Sequence, residues 1–296
     1  MRFSFRTKLC ITVYHIRPDM ERRDSHLWYV NFRYSRGKRV ENNEKRLYNK
    51  LVMYREKGAY GGNRMKKETT GYVQLIEERL IYDNTLSRPE DIEGFVVEGK
   101  ASISFEEGSM RLKNSLDEEL GQKANYVLWC PKEFPENVKI TWEFKPVTDQ
   151  GLCILFFAAK GRNGEDLFDS SLAERTGEYP QYHSGDINAF HVSYFRRKEP
   201  DERAFHTCNL RKSHGFHLVA QGADPLPGAA DALDFYRISI RKYHGDIRFS
   251  INDMTVFEYN DELELFGKPL KGGKIGFRQL APLTADYRNL KVYELC

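Results

Sequence analysis

The chain has 296 residues, of which 40% are hydrophobic and 13% aromatic, a composition that suits one large β domain. No window approaches the roughly 18 consecutive apolar residues that a membrane helix needs, so no membrane span is expected. The apolar stretch Leu9–Ile16 is interrupted by Thr12 and His15 and runs into Arg17-Pro18 rather than a small-residue cleavage site. We therefore expect no secretion signal and a cytoplasmic protein.

Charge is unevenly distributed along the chain. The formal net charge is +3, but residues 1–64 carry 16 Lys and Arg against 6 Asp and Glu, which leaves residues 65–296 with 30 against 37. A basic arm is one signature of nucleic-acid binding. A simpler interpretation is that this segment is not part of the folded domain, because it shows neither strand alternation nor a clean helical stripe. We therefore expect residues 1–64 to lie outside the functional domain and the protein to bind no nucleic acid.

The end of the basic segment resembles a bacterial translation start. Gly61-Gly62 is encoded by a GGN-GGN tract a few nucleotides before the Met65 codon, where a ribosome-binding site would lie. We predict that translation begins at Met65 and that residues 1–64 are a wrongly assigned upstream extension. The alternative is a real basic tail that is mostly disordered. A tryptic peptide from residues 42–64 in the native protein would refute the first interpretation.

Residues 72–296 are expected to form one all-β domain. Ala101–Phe105 and Met110–Leu112 flank the turn Glu106–Ser109 and predict a hairpin. Lys139–Lys145 alternates strictly between apolar and polar residues, which predicts a strand with one solvated face. Leu152–Ala159 is apolar at both parities, which is typical of a central strand covered on both sides.

Further strands follow toward the C-terminus. They are predicted at Asn188–Arg197, Ala204–Arg211, Phe216–Ala220, Tyr236–Arg241, Asp246–Ile251, Thr255–Tyr259, Lys274–Gln279 and Tyr287–Leu295. We expect Tyr236–Arg241 to pair with Asp246–Ile251, and Thr255–Tyr259 to pair with Lys274–Gln279. About a dozen strands with almost no helical signal predict a two-sheet antiparallel jelly-roll β-sandwich.

Neither disulfides nor a cofactor are expected. The five cysteines form no CxxC pair, so we expect free thiols in a reducing compartment. The loop Gly161–Asp169 holds three carboxylates and is an alternative site for a cation such as calcium, although its spacing does not match an EF-hand.

Three phrases of the sequence resemble a known family. Gly121–Cys130, Phe156–Asp166 and Gly185–Arg197 are similar to the YesU-like family of bacterial proteins of unknown function, and the resemblance covers about residues 80–296. It implies a concanavalin A-like lectin/glucanase sandwich, often in gene neighbourhoods for pectin or rhamnogalacturonan breakdown. It implies no established activity. Arg248–Asp253, with the turn Asn252-Asp253, separately resembles a hairpin of the wider superfamily.

Histidine and basic residues are concentrated between positions 183 and 217. Five of the eight histidines lie there, together with six Lys and Arg. Strand alternation places the apolar residues Phe190, Val192 and Tyr194 on one sheet face and a polar set on the other. The polar set is His191, Ser193, Arg197, Thr207, Asn209, Arg211, His217 and Gln221. We interpret this face as a concave oligosaccharide-binding groove; the alternative is an ordinary solvated sheet face.

Two classes of function fit such a groove. A lyase acting on a uronate-containing pectic fragment would use His191 as base, Arg211 with Asn209 as carboxylate clamp and Tyr182 as acid. Hydrolysis is the other enzymatic route, but the Glu-x-Asp-x-x-Glu motif of retaining glucanases is absent. The alternative is a lectin-like module that binds an oligosaccharide without turnover. In either class, the remaining polar residues of this face and Tyr179 would contact the sugar.

Overall fold

The computed structural model describes residues 76–296 and, as backbone strands only, residues 8–16, 27–35 and 47–49. The chain divides into two compact units, residues 1–79 with 295–296 and residues 80–294. Within the described residues, no helix is long and apolar enough to cross a bilayer.

In the first unit, the residues that the structure describes before residue 64 form three strands. β1 (Lys8–Ile16) pairs antiparallel with β2 (Leu27–Ser35), and β3 (Leu47–Asn49) pairs with the beginning of β4 (Ile76–Asn84). The sequence pattern predicts no strand in this segment, so the structure differs from that expectation. Met65 lies outside the described residues, and the translation start stays a prediction.

The regular secondary structure of the second unit is almost entirely strand. After β4 they are β5 (Val96–Gly99), β6 (Ala101–Glu106), β7 (Ser109–Asn114), β8 (Tyr126–Trp129), β9 (Val138–Pro146), β10 (Leu152–Gly161), β11 (Ile187–Tyr194), β12 (Thr207–Lys212), β13 (His217–Ala223), β14 (Tyr236–Tyr243), β15 (Asp246–Ile251), β16 (Met254–Asn260), β17 (Lys274–Leu280) and β18 (Thr284–Leu295). The helices are the short α1 (Pro180–His183) and α2 (Pro200–Ala204), with 3-10 turns at Pro89–Ile92, Glu118–Ala124, Ala229–Asp231 and Asp261–Leu263.

These strands form two antiparallel sheets. The seven-stranded sheet has the order β13-β12-β11-β10-β17-β8-β5. In the second sheet the order is β16-β15-β14-β9-β18-β4, and the hairpin β6-β7 joins it where β7 pairs with β18. The expected jelly-roll β-sandwich of the concanavalin A-like type is confirmed.

One expected strand pair is wrong. β14 and β15 pair as predicted, but β16 pairs with β15, whereas β17 crosses to the seven-stranded sheet and lies between β10 and β8. The physical reason is that residues 261–273 form a longer connection between β16 and β17. A connection of this length permits a change of sheet, which a two-residue turn does not.

The main core lies between the two sheets. Ile140, Trp142 and Phe144 of β9 are buried there, as their alternation predicts. From the seven-stranded sheet, Phe190 and Val192 of β11 pack into the same cluster. Their burial confirms which face of β11 is apolar and turned inward.

A second apolar cluster covers part of the opposite face of the seven-stranded sheet. Ile154 and Phe156 of β10 pack there with Trp129 of β8 and with Leu167 and Tyr182 of the segment between β10 and β11. The side chains on both faces of the central strand β10 are apolar because each face contacts an apolar cluster. We call this face, turned away from the main core, the outer face.

Three of the cysteines are buried free thiols, at positions 130, 153 and 208, which confirms the prediction for these positions. Cys296 is free and exposed. The side chain of Cys10 lies outside the described residues.

Candidate functional site

The outer face presents two parallel rows of residues across the seven-stranded sheet. The strand register aligns Glu98, Val127, Arg278, Ile154, Ser193, Asn209 and Gln221 in one row. It aligns Val96, Trp129, Gly276, Phe156, His191, Arg211 and Leu218 in the other. The first row has polar residues on β11, β12 and β13, whereas the second has His191 on β11 and Arg211 on β12 but ends in the apolar Leu218 on β13. The strand alternation of β11 and β12 therefore places His191, Ser193, Asn209 and Arg211 together, as predicted.

Arg211 is the cation at the open part of the outer face. Its guanidinium stacks on the Phe216 ring, with 3.9 Å between the Cζ atom and the ring centroid, and its Nη1 donates to the Phe216 carbonyl at 3.0 Å. Within residues 76–296 no Asp or Glu forms an ion pair with Arg211. Burial lowers the pKa of Arg211, the nearby Tyr179 raises it and Arg196 lowers it. The guanidinium is thus held in place and is available to an anion.

His191 lies beneath the surface of this site rather than on it. It is 1% exposed, and its ring packs edge-on against Phe156 at 4.6 Å between centroids. Its Nε2 lies 3.0 Å from the Ser213 hydroxyl and its Nδ1 lies 3.1 Å from the Tyr179 hydroxyl. Burial, then repulsion from His183, Arg278 and Arg211, holds the pKa of His191 well below its ordinary value of 6.5. The imidazole is therefore neutral at physiological pH.

The hydrogen bonds indicate which nitrogen of His191 carries the proton. The Ser213 hydroxyl donates to the Ala189 carbonyl at 3.2 Å and also accepts from the Ala189 amide. Its oxygen therefore accepts from His191 Nε2, which leaves Nδ1 to accept from the Tyr179 hydroxyl. Both nitrogens are satisfied by protein groups. The assignment of His191 as a solvent-accessible base is wrong, because the segment before β11 covers it.

Tyr179 occupies the boundary between this buried network and the surface. The residue is partly exposed, whereas its hydroxyl faces His191. Burial of the hydroxyl raises the pKa of Tyr179 to about 12, against the opposing effects of Arg278, Arg211 and Arg196. Its ring contacts Phe216 edge-on at 5.5 Å between centroids. Tyr179 is thus placed beside Arg211, where it was predicted to contact a sugar.

Tyr182 is not at the open site, so its assignment as the catalytic acid is wrong. It is fully buried, and its hydroxyl donates to Glu98 Oε2 at 2.8 Å. Glu98 also accepts from Trp129 Nε1 at 2.9 Å and forms an ion pair with Arg175 at 2.8 Å. Burial and the adjacent Glu98 carboxylate raise the pKa of Tyr182. This network fastens the segment before β11 onto the outer face.

The amide and hydroxyl groups of the predicted set extend from Arg211 along β12 and β13. The Asn209 and Gln221 amides lie 2.7 Å apart, and Gln221 is exposed. The Arg196 Nη1 lies 3.0 Å from the Asn209 amide oxygen when that amide is oriented toward it. It also donates to the Thr207 hydroxyl at 2.7 Å. These groups form a polar strip next to Arg211 that includes the predicted residues Asn209, Thr207 and Gln221. Asn209 and the predicted Ser193 are buried by their neighbours, so Gln221 and the partly exposed Thr207 are the members open to a ligand.

Arg197 does not belong to this strip. β11 ends at Tyr194, and Phe195 has φ 48°, so strand alternation does not extend to position 197. Arg197 instead lies over the Phe195 ring and donates to the Leu226 carbonyl at 2.6 Å. The prediction failed because it continued the strand three residues too far.

His217 is also displaced from the predicted site. A β-bulge between β12 and β13 pairs Leu210 with Ala220 but Arg211 with Leu218, so His217 aligns with Lys212. His217 stacks on the Phe266 ring at 4.6 Å between centroids. Leu218, 45% exposed, takes the position beside Arg211 instead. One inserted residue reverses the parity on which the prediction relied.

Arg278 is a functional candidate that the sequence reasoning missed. It is fully buried on β17, lies under the Tyr179 ring at 5.0 Å and donates to Gln122 Oε1 at 3.2 Å, and its Nε has no partner. Burial lowers its pKa to about 10. The sequence signal that could have identified Arg278 is its position between Phe277 and Gln279 on a predicted strand, because strand alternation turns Arg278 to the opposite face. We treated that strand only as scaffold. Arg278 positions Tyr179 and adds positive potential behind the site.

The acidic loop that was the alternative cation site has internal partners for each carboxylate. Glu165 accepts from the Asn163 backbone and side chain, Asp166 pairs with Lys274 at 2.8 Å, and Asp169 accepts from the Ser171 amide. Across residues 76–296, no group of three or more His, Cys, Asp and Glu side chains is arranged to hold a metal ion.

Chemically, the outer face offers the guanidinium of Arg211, a strip of amides and hydroxyls, and the aromatic rings of Tyr179 and Phe216. Guanidinium binds carboxylate in a planar, bidentate geometry, and amides and hydroxyls exchange hydrogen bonds with sugar hydroxyl groups. Glu98 is the single carboxylate in the two rows and is paired with Arg175. A retaining glycosidase needs two carboxyl groups about 5 Å apart. The rows do not supply that pair.

Sequence comparison identifies the chain as a member of a family. Residues 79–292 match the domain of unknown function DUF1961, and the chain belongs to this family. It is 51% identical over 218 residues to the YesU protein of Bacillus subtilis strain 168, an alignment that covers 74% of this chain and 97% of that protein.

One solved structure supports the same fold. A protein of unknown function with a galectin-like fold from Bacillus subtilis superposes with a TM-score of 0.71 at 51% identity, over 73% of this chain and 96% of that one. A laminarinase from Rhodothermus marinus superposes with a TM-score of 0.49 at 12% identity, over 75% and 100% of the two chains. The second likeness is too weak to carry an inference about activity.

Proposed function

We propose that the outer face binds an acidic oligosaccharide, with Arg211 pairing to a uronate carboxylate. The observation that carries this proposal is the unpaired Arg211 guanidinium, fixed on Phe216 beside the polar strip of Asn209, Thr207 and Gln221. A pectic or rhamnogalacturonan fragment is the ligand class that combines carboxylates with many hydroxyl groups. Because the sequence predicts a cytoplasmic protein, the ligand we propose is an imported fragment.

Binding without turnover fits the geometry better than catalysis by the residues first assigned. Tyr182 is fully buried and bonded to Glu98, and His191 has both ring nitrogens occupied. A general base must reach the proton that it removes, directly or through one water. Neither residue meets that condition, so a lectin-like role is the first proposal.

A lyase is the second candidate because of one contact. Tyr179 is partly exposed, and its hydroxyl lies 3.1 Å from His191 Nδ1. In β-elimination, Tyr179 oxygen would take the C5 proton of the uronate while its own proton passes to His191. The C4–O bond would then break as the C4–C5 double bond forms, and water would protonate the leaving oxygen. The low pKa of the buried imidazole opposes the proton transfer to His191.

Titration calorimetry with saturated and unsaturated oligogalacturonides tests the proposed ligand, and the absorbance of a new C4–C5 double bond tests turnover. Saturable binding without new absorbance supports the lectin-like role. New absorbance that disappears in Tyr179→Phe supports the lyase. Release of reducing ends without that absorbance would indicate hydrolysis, and absence of binding to any acidic fragment would refute the proposal.

Arg211→Lys sharpens the test of the carboxylate contact. A bidentate guanidinium is not replaced by an ammonium point charge, so affinity for acidic fragments should fall about tenfold or more. Affinity for neutral sugars should change little. Arg248→Lys is the control, because Arg248 lies on β15 of the other sheet and pairs there with Glu258. Equal losses for acidic and neutral sugars would contradict the assigned role of Arg211.

A further inference from the structure

A separate cleft of about 450 Å³ lies beyond the end of the outer-face strip. Its walls are the end of β10 with the following loop, the residues after β12, and the loop between β16 and β17. The Lys and Arg residues that line it are Lys160, Arg162, Lys212, Lys268 and Lys271, and no Asp or Glu is part of the lining. All the formally charged side chains that line the cleft are therefore positive.

Three of the five Lys and Arg residues in the lining are neutralised by carboxylates outside it. Lys160 pairs with Glu133 at 2.6 Å, Lys271 with Glu136 at 3.0 Å, and Lys212 with Asp261 at 2.6 Å. Within residues 76–296, neither Arg162 nor Lys268 forms an ion pair. Both are exposed and both line the cleft, and Arg162 also borders an adjoining pocket that contains Glu165 and Asp186. Concave walls of low dielectric strengthen the field of such charges.

The walls of the cleft are held in place before any ligand arrives. The buried Lys212 amine donates to Asp261 and to the carbonyls of Gly267 and Lys268 at 3.1 and 2.8 Å. Asp261 in turn accepts from the Leu270 amide at 2.8 Å. On the opposite side, the His214 amide donates to the Asn188 side chain at 3.1 Å. The Arg162 amide also donates to the Asp186 carbonyl at 2.9 Å. The backbone segments that carry Arg162 and Lys268 are therefore both hydrogen-bonded, which lowers the ordering cost of binding an anion between them.

An aromatic ring adds an apolar side to the same cleft. Phe266 lines it and is 37% exposed, while one face of the ring stacks on His217. The displacement of His217 by the β-bulge thus supports this wall. An apolar ring next to unpaired cations suits a small ligand with both a ring and an anionic group.

We propose that this cleft is a second binding site, which takes the anionic group, phosphate or carboxylate, of a small polar ligand between Arg162 and Lys268. The site is independent of Arg211. Phosphate and carboxylate share the charge and the acceptor oxygens that guanidinium and ammonium groups recognise. The proposal therefore stands whether or not the outer face binds an oligosaccharide.

Calorimetry on the full chain with inorganic phosphate and, separately, with galacturonate tests the proposal and distinguishes the two anions. We expect saturable binding of at least one probe with a Kd of about 1 mM or tighter, weakened about tenfold or more in the double variant Arg162→Gln/Lys268→Gln. The matched control is Lys113→Gln/Lys123→Gln, which removes the same charge from exposed positions elsewhere. That control should leave the affinity within about twofold.

Arg211→Gln separates this site from the outer face. Retained phosphate or galacturonate binding in Arg211→Gln, together with its loss in Arg162→Gln/Lys268→Gln, supports the cleft. Loss in Arg211→Gln alone would place the probe on the outer face and overturn the proposal. Absence of saturable binding of both probes, or equal weakening by the control pair, would overturn it as well.

Discussion

Replacing His191 by alanine is expected to lower the free energy of unfolding by about 3 kcal/mol. The substitution removes an edge-to-face contact with Phe156, for which such aromatic pairs contribute about 1 kcal/mol. It leaves the Tyr179 hydroxyl without its partner, at about 1 kcal/mol or more when buried, removes one of the three hydrogen bonds of the Ser213 hydroxyl, and creates a cavity. For a domain of this size the melting temperature should fall by about 6–12 °C.

Urea denaturation followed by fluorescence and circular dichroism measures this change, with an unchanged m-value as the sign of an intact fold. His183→Ala is the matched control. His183 packs, like His191, against the Tyr179 ring but is only half-buried, so its loss should cost about 1 kcal/mol or less. If His191→Ala were as stable as the wild type and lost only turnover, His191 would be accessible, and our placement of it beneath Tyr179 would be refuted.

Other perturbations act on the same network and its surroundings. Glu98→Ala should cost about 3–5 kcal/mol in urea denaturation because it leaves the Arg175 guanidinium buried and unpaired; a cost below 1 kcal/mol would show that the segment before β11 is not fastened there. Lys212→Met should cost a similar amount because Asp261 is fully buried, and calorimetric melting would reveal a smaller effect if water replaces the amine. The pKa of His191 is lower in the folded than in the unfolded protein, so as the pH falls the unfolded chain binds a proton that the folded protein does not bind. The free energy of unfolding should therefore decrease below about pH 6.5, by up to about 1.4 kcal/mol per pH unit. The variant His191→Gln should reduce that slope.

Local patterns in the sequence determined the architecture of the sandwich. The hairpin β15-β16 turns at Asn252 and Asp253, both with positive φ, as the Asn-Asp pair predicts. The hairpin β6-β7 likewise turns at Glu107 and Gly108. Period-two alternation also identified the buried face of β9 correctly. These features depend on residues that are neighbours in the chain, so their physics is visible in the sequence.

Strand alternation also placed His191, Ser193, Asn209 and Arg211 on one face, and the register confirms that placement. It failed at His217, where a single bulge residue reverses the parity on β13. Strand alternation is a local rule, and one inserted residue reverses it for the rest of the strand. No residue type in this stretch predicts the β-bulge.

Whether a polar face is open to a ligand was decided only by the tertiary structure. His191 and Tyr182 are buried because Glu98, Arg175 and Arg278 hold the segment before β11 against the outer face. Glu98 and Arg175 are 77 residues apart, and no local pattern links them. The sequence determines which way a side chain points from its strand, but solvent exposure depends on what distant segments pack above it, and long-range packing is a property of the whole fold.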